Sequence, residues 1–351
     1  MHLLVLPGDG IGPEITAATL NVLTATAARF RLDLKIEKDI VGHESLLKHG
    51  TTVRPDLLDK AKAADGLILG PAATFDFKAT GNINPSAFFR KNLDLFANIR
   101  PARTYPGLPA KLSQFDLVIA RENTEGFYAD RNMVAGNAEL LVTEDVVVSL
   151  RRITRKACAR IARAAFELAA TRKKHVTIVH KANVLGIGDG MFIEECRKCG
   201  KDFPDVAIDE AIVDAMMALL VRNPARFDVI VTTNMFGDII SDMTAEASGS
   251  LGLGGSLNAG EVYAMAQAAH GSAPDIAGKD VANPFSLVLS ASLLLGWYGR
   301  RKGKPAFSEA AAAIDAGVAA AIAAGEITRD IGGRLSTKQT GEALAARIGG
   351  T

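Results

Sequence analysis

The chain has almost no charge imbalance, few cysteines and no long apolar run, and each shortage removes a class of function. Its 40 basic and 39 acidic residues leave a net charge of +1. Such a balance gives no electrostatic footprint for nucleic acid or an anionic membrane. No apolar run reaches the roughly 20 residues that a bilayer-spanning helix needs. The N-terminal MHLLVLPGDG turns glycine-rich early. It lacks the basic start and longer apolar region of a secretory leader. The three cysteines are Cys158, Cys196 and Cys199. An odd, low count argues against a disulfide framework and points to a reducing cytoplasm. Cys196 and Cys199 form a CxxC within the helical pattern MFIEECRKCG, with no second ligand pair at zinc spacing. There is no fixed-period repeat and no low-complexity linker.

What is present is an ordinary globular composition, 48% apolar and 23% charged over 351 residues, enough for two lobes with real cores. One stretch stands out, VTTNMFGDIISDM from Val231 to Met243. Val229 to Thr233 reads as a buried strand, and Asn234 as the cap of a following helix. Asp238 and Asp242 then lie one turn apart on one helical face. Two like charges so placed repel, and a hard divalent cation between them would remove the repulsion. A solvated acidic face is the plain alternative. A glycine-rich segment, Ser248 to Gly260, follows.

Around that stretch strand and helix patterns alternate, which is α/β. His2 to Leu6 is a short buried strand running into Gly8-Asp9-Gly10-Ile11-Gly12-Pro13-Glu14, with Pro13 suited to a first helical turn and helix to about Phe30. The spacing is G-x-G-x-G, and Glu14 puts a carboxylate where a pyrophosphate would sit, so this is not a Rossmann dinucleotide fingerprint. Strands are expected at Leu32 to Ile40, Gly66 to Gly70, Phe115 to Ala120, Val176 to Val179 and Ala207 to Ile212. Helices are expected at Arg54 to Ala64, Val148 to Thr171, from Asp214 to Val221, Asn283 to about Gly299 and Ala310 to Ala324. Met133 to Val148 reads as an extended excursion.

Polar residues gather at element ends. Asn84 and Ser86 precede a helix bearing Arg90. Arg100 and Arg121 end strands, and three arginines so placed suggest a shared anion site. Lys181 ends a strand beside Val184 and Leu185, an apolar setting that would lower its pKa. His270 and Asp275 are polar handles in a loop of small residues. An aspartate there accepts the two hydroxyls of a ribose and repels a 2′-phosphate.

Taken together, GDGIGPE, RENTEGFY, HKANV, NMFGDIISD and HGSAPDIAG, in this order over nearly the whole chain, resemble the β-decarboxylating dehydrogenases. That family includes isocitrate, 3-isopropylmalate, homoisocitrate and tartrate dehydrogenases. The resemblance implies an α/β, two-domain isopropylmalate-dehydrogenase-like fold with mixed sheets flanked by helices. Residues 1–98 plus 250–351 would form the large cofactor domain. Residues 99–249 would form a small domain with the dimer interface, the excursion after Tyr128 acting as an intersubunit clasp.

It also implies roles. Asp238 and Asp242 match metal-binding carboxylates for Mg²⁺ or Mn²⁺, with Asp214 supplied across a homodimer. Arg90, Arg100 and Arg121 match the arginines that hold the malate core of a hydroxyacid. Tyr128 and Lys181 match the catalytic pair, and Asn183 and the loop residues Asn84 and Ser86 the substrate contacts. His270, Gly271, Ser272, Ala273 and Asp275 match the NAD loop, and Asn283 the adenine contact. A non-catalytic regulatory subunit of a heteromeric isocitrate dehydrogenase is the competing class, but Tyr128, Lys181 and the three aspartates are all retained.

The loop before Arg90 reads the C3 group of the substrate. Isopropylmalate enzymes place leucines three and four residues before this arginine, where this chain has Ala87 and Ser86. Isocitrate enzymes use a serine six before and an asparagine four before, where this chain has Asn84 and Ser86. Asp189-Gly190-Met191-Phe192 after HKAN also resembles NAD-linked isocitrate enzymes. These residues favour a polar C3 substituent, with isopropylmalate, homoisocitrate, tartrate and D-malate as alternatives. Two residues depart from the family, Gln267 where glutamate is usual and Phe127 where several members have glutamate.

Overall fold

A computed structural model describes residues 1–108, 111–128 and 138–350, without the side chain of Lys78. The strands are β1 (His2–Leu6), β2 (Lys35–Lys38), β3 (Gly66–Leu69), β4 (Ala97–Arg103), β5 (Asp116–Glu122), β6 (Glu139–Thr143), β7 (Val146–Ser149), β8 (His175–His180), β9 (Ala207–Ile212), β10 (Val229–Thr232), β11 (Leu257–Ala259) and β12 (Ala264–Gln267). The helices are α1 (Gly12–Phe30), α2 (His43–His49), α3 (Asp56–Ala63), α4 (Thr74–Thr80), α5 (Pro85–Asn92), α6 (Arg155–Ala170), α7 (Gly186–Gly200), α8 (Val213–Arg222), α9 (Asn234–Ala247), α10 (Phe285–Lys302), α11 (Pro305–Ala323) and α12 (Thr337–Gly349).

Ten strands form one mixed sheet in the order β2-β1-β3-β12-β11-β4-β5-β10-β8-β9, and β6 and β7 pair separately. The apolar runs HLLVL, GLIL and VIVT become interior strands covered on both faces, as parallel strands require. The polar KIEK and AIDEAI take the two edges, where unpaired backbone meets solvent. β1, β2, β3 and β12 run together, as do β5, β8, β9 and β10. The antiparallel steps β12-β11-β4-β5 join these groups, which therefore run in opposite directions.

Two core clusters draw on residues 1–105 and 253–348, and two on residues 96–247. Helix α11 has a mean hydropathy of 1.4 and is long and apolar enough to cross a membrane by length and composition, contrary to expectation. Its Phe307, Ala310, Ile314, Val318 and Ile322 are buried in the core beside α10 and α12.

Several boundaries differ from the sequence pattern. The helix expected from Val148 starts at Arg155, because Val146–Ser149 is a strand and Thr154 caps the helix by accepting from Ala157 N at 3.2 Å. Of the Met133 to Val148 excursion, residues 133–137 lie outside the described residues, and the remainder holds the β6–β7 hairpin. The cap of α9 is Thr233 in position, not Asn234, whose side chain is used elsewhere.

Beyond the end of β2, Asp39 accepts from Arg54 at 2.8 Å and from Lys60 at 2.6 Å. Burial pushes its carboxyl up, but these cations outweigh that and hold it at about 2 against an ordinary 3.8. A depressed carboxyl stabilises the fold above its unfolded value and loses that contribution as pH falls through its folded value. Asp39→Asn is therefore expected to lower stability by about 2 kcal/mol at pH 7. In urea titrations the gap from wild type should close between pH 4 and pH 2. A gap that persists at pH 2 would refute the assignment.

Candidate active site

Helix α9 packs across β4 and β5 and presents Asn234, Asp238 and Asp242 on one face. Gly237 permits the approach, since a Cβ there would stand 2.6 Å from Cγ of Arg121. Asn234 Oδ1 accepts from both Nε (3.0 Å) and Nη2 (2.7 Å) of Arg121. Its Nδ2 donates to the Glu125 carbonyl at 3.0 Å. One turn on, Asp238 accepts from Arg121 Nη1, lies 3.3 Å from Arg100 Nη1, and takes the Tyr128 hydroxyl at 3.2 Å. Asp242 accepts from Arg100 Nη1 at 3.1 Å. Arg100 is aimed by Asn98 Oδ1 (2.6 Å) and Ser241 Oγ (2.7 Å).

Within the chain, then, arginines already offset the repulsion between the two aspartates. They do so unequally. Burial pushes the Asp238 carboxyl up, but Arg121, Arg100 and Arg90 more than compensate and hold it below the usual range. Burial and then Asp238 outweigh Arg100 at Asp242, whose carboxyl is raised. An ionised carboxylate one turn from an under-stabilised one, with the Asp242 side chain 56% exposed, is a donor pair a divalent cation would favour. Among the described residues, no three His, Cys, Asp or Glu of the chain converge to hold a metal.

Asp214 is elsewhere, in the first turn of α8, where its carboxylate meets Lys181 Nζ at 2.5 Å and is held below its usual range by that lysine. The apolar setting expected for Lys181 does not form around it in the chain. Of the two residues expected to form it, Val184 (69%) faces outward and Leu185 is only half-buried, and Lys181 is ion-paired instead. Its backbone N–H is fixed by the buried Asp189 carboxylate at 2.6 Å, which also takes Arg151 at 2.5 Å. Asn183 is exposed in the turn after β8. The expected residues thus form two groups, one around Asp238 and one around Lys181.

Tyr128 follows a turn that satisfies itself. Buried Glu122 accepts from Thr124 N–H, Thr124 Oγ1 and Glu125 N–H, and Glu125 accepts from Thr154. Phe127 packs beneath Arg151, whose guanidinium carbon is 5.8 Å from the ring centroid. On the other flank, Asn84 caps α5 by accepting from Ser86 N–H (3.0 Å) and Ala87 N–H (3.4 Å), so that oxygen is occupied. Ser86 Oγ and Arg90 Nη2 both donate to Gln267 Oε1, at 3.0 and 2.9 Å.

The expected cofactor loop crosses the first glycine turn. Ile11 N–H donates to the Ser272 carbonyl at 2.9 Å, and a Cβ on Gly10 would stand 1.9 Å from that oxygen. Ala273 adopts φ 40°, and Asp275 and Gly271 are exposed. The His270 ring is lowered in pKa by burial. Its Nε2 is buried with no partner among the described residues, a hydrogen-bonding position that a bound nucleotide would use. Asn283 accepts from Phe285 N–H and donates to Asp330 at 3.1 Å. These contacts fit a dinucleotide beside the loop.

The family model for isocitrate/isopropylmalate dehydrogenase matches residues 2–344. The chain belongs to the isocitrate/isopropylmalate dehydrogenase family. As such it is an NAD(P)-dependent β-decarboxylating dehydrogenase of 3-substituted malates. It is 38% identical over 348 residues to the isocitrate/homoisocitrate dehydrogenase of Thermus thermophilus, covering 99% of this chain and 98% of that one. It is equally, 38%, identical over 349 residues to the 3-isopropylmalate dehydrogenase of Archaeoglobus fulgidus, covering 99% of each. The crystal structure of isocitrate dehydrogenase from Methylococcus capsulatus superposes with a TM-score of 0.87 at 36% identity, covering 99% of each chain. Overall identity therefore does not choose the C3 group. In this family member, Asn234, Asn98, Ser241 and Asp189 position the expected residues. Spacing could have suggested Asn234, four residues before Asp238 on α9, and Asn98, two before Arg100 on β4, whereas Ser241 and Asp189 carry neither spacing.

Proposed function

We propose that the chain is an NAD- and Mg²⁺- or Mn²⁺-dependent enzyme that oxidatively decarboxylates a 3-substituted malate with an oxygen-bearing C3 group, acting as a homodimer with shared sites. The observation that carries this reading is the split of its polar residues. Asp238, Asp242, Tyr128 and the arginines share one network, while Lys181 and Asp214 form a separate, outward-facing pair. A two-fold partner would bring the second pair to the first. Exposed Leu140, Leu141, Val146 and Val147 on the β6–β7 hairpin, with Val184 and Ile187, supply apolar surface for such a partner. The core clusters support a large domain of 1–98 plus 250–351 and a small one of 99–249.

In this reading Arg90, Arg100 and Arg121 hold the carboxylates of the malate core through their forks. Asp238 and Asp242, with Asp214 of the partner subunit, would hold the cation. When bound, the cation would supply polarisation of the 2-hydroxyl and its neighbouring carboxylate, and NAD would supply the hydride acceptor. A neutral Lys181, released from its ion pair with Asp214, would accept the hydroxyl proton. After loss of CO₂, Tyr128 delivers a proton to C3, while Asp238 and Arg121 hold its hydroxyl and ring in place. Asp275, exposed on the loop, receives the ribose hydroxyls and disfavours a 2′-phosphate.

NADH formation should be screened over isocitrate, homoisocitrate, 3-isopropylmalate, tartrate and D-malate with Mn²⁺, following CO₂ in parallel. The expected outcome is faster turnover of the oxygen-bearing acids than of isopropylmalate, and a kcat/KM for NAD at least about tenfold above that for NADP. Isopropylmalate as best substrate, or NADP preference, would overturn the corresponding half.

A further inference from the structure

Gln267 ends β12 with its side chain almost buried, at 7% exposure. Its Oε1 accepts two hydrogen bonds, from Ser86 Oγ and Arg90 Nη2. A guanidinium only donates, so the atom facing Arg90 must be the carbonyl oxygen. That fixes the amide, and Nε2 occupies the other branch. Among the described residues Nε2 donates to no protein group, and it is not sealed among the buried atoms that lack a partner. Gln267 N–H also donates to the Ser256 carbonyl at 3.1 Å, Ser256 Oγ accepts from Asn98 Nδ2 at 2.9 Å, and Asn98 Oδ1 accepts from Arg100 Nε at 2.6 Å, which ties Gln267 to a second arginine of the site. Gln267 therefore borders the anion site on the Ser86 side.

We propose that Gln267 is a specificity-determining residue whose Nε2 donates to an oxygen on the C3 substituent of the substrate. Glutamate of the same shape would keep the grip on Ser86 and Arg90 but present a second, negatively charged oxygen. It would repel a carboxylate there and offer no donor to a hydroxyl. With glutamine, the clamp is kept and the free branch becomes a donor. Ser86, whose proton goes to Oε1, presents lone pairs beside it. A neighbouring donor and acceptor suit a hydroxyl or carboxylate oxygen and leave a hydrocarbon group with two unsatisfied polar neighbours. A site built to hydrogen-bond a group discriminates strongly against analogues that lack it.

This inference rests on the substrate class proposed above, and the test separates the two. Gln267→Glu and the uncharged, size-matched Gln267→Met are compared with the wild-type full chain at saturating Mn²⁺, with each acid varied at saturating NAD and NAD varied in turn at saturating acid. The substrates are D-malate (no C3 group), tartrate (hydroxyl), isocitrate (carboxylate arm) and 3-isopropylmalate (hydrocarbon). Gln267→Glu is expected to lower kcat/KM for tartrate or isocitrate at least about tenfold, through KM, while D-malate changes less than about threefold. Gln267→Met should narrow the gap between oxygen-bearing and hydrocarbon substrates. Which of tartrate or isocitrate loses more identifies the oxygen. Equal losses on all four acids, or a loss confined to the KM for NAD, would overturn the proposal and make Gln267 a scaffold or cofactor residue. If wild type turns over none of the four, the substrate class fails by itself. Calorimetric binding of the same acids to wild type and Gln267→Glu then decides the inference. An unchanged order of affinities rejects it, and selective loss of the oxygen-bearing ligands sustains it.

Discussion

Lys181→Ala lowers kcat by about two to four orders of magnitude, the range a positioned general base contributes, while the protein keeps its fold and its elution volume. The side chain follows β8 and, among the described residues, bonds only Asp214. Its removal therefore leaves no buried charge unpaired, and the exposed Asp214 stays in water. The backbone of the turn remains fixed because the bond to Asp189 comes from the Lys181 N–H, which alanine retains. Structure and catalysis thus separate at this position. Steady-state NADH formation and size-exclusion chromatography read the two, and wild-type kcat in the variant would remove Lys181 from the chemistry.

Asp238→Asn is the second large effect, and here the two do not separate. The carboxylate is the shared acceptor of Arg121, Arg100 and Tyr128. Arg121 is 1% exposed and would exchange a charged acceptor for a neutral one beside Asn234. Losing charge-assisted bonds of this kind costs roughly 1.5–3 kcal/mol, at the low end here because Asp238 is one-third exposed. Turnover should fall at least about a hundredfold. Millimolar Mn²⁺ should raise the melting temperature of wild type and leave that of Asp238→Asn unmoved, since a ligand that binds only the native state stabilises it. EDTA treatment of wild type should abolish turnover, with recovery on adding Mn²⁺. An EDTA-stripped enzyme at full rate would sink the cation reading altogether.

Periodicity made much of this legible. Buried strands such as β1, β3 and β10 announce themselves as continuous apolar runs, and Asp238 and Asp242 must share a face once α9 is a helix. Pairing is another matter. Nothing local shows that Leu257–Ala259, inside a glycine-rich segment, becomes a strand between β4 and β12, because one of its two neighbours, β4, lies more than 150 residues away in sequence. Asn234 has the residue type of a helix cap, yet the buried Arg121 claims its oxygen, a contact that exists only once β5 and α9 pack. Asn84, expected at the substrate, does cap a helix. At Asn234 tertiary demand outranks local preference, and at Asn84 the local cap prevails. Helix α11 misleads in the opposite direction, since its composition suits lipid as well as a protein core.

Arg100 and Arg121 stand diagonally on one face of two antiparallel neighbours, in a register that sets Arg121 against Asn98 and Arg100 against Ile119. Main-chain ladders thus fix the span between the two backbone positions, and Asn98, Ser241 and Asn234 aim the guanidinium groups from there, making them a rigid caliper for one end of an acid. Arg90 and Ser86 instead hang from a helix of eight residues whose entry is a short capped loop. Variation in ligand length can then be absorbed at that one movable jaw, so an altered appetite for substrates needs edits only in α5 and at the end of β12, with the caliper left alone.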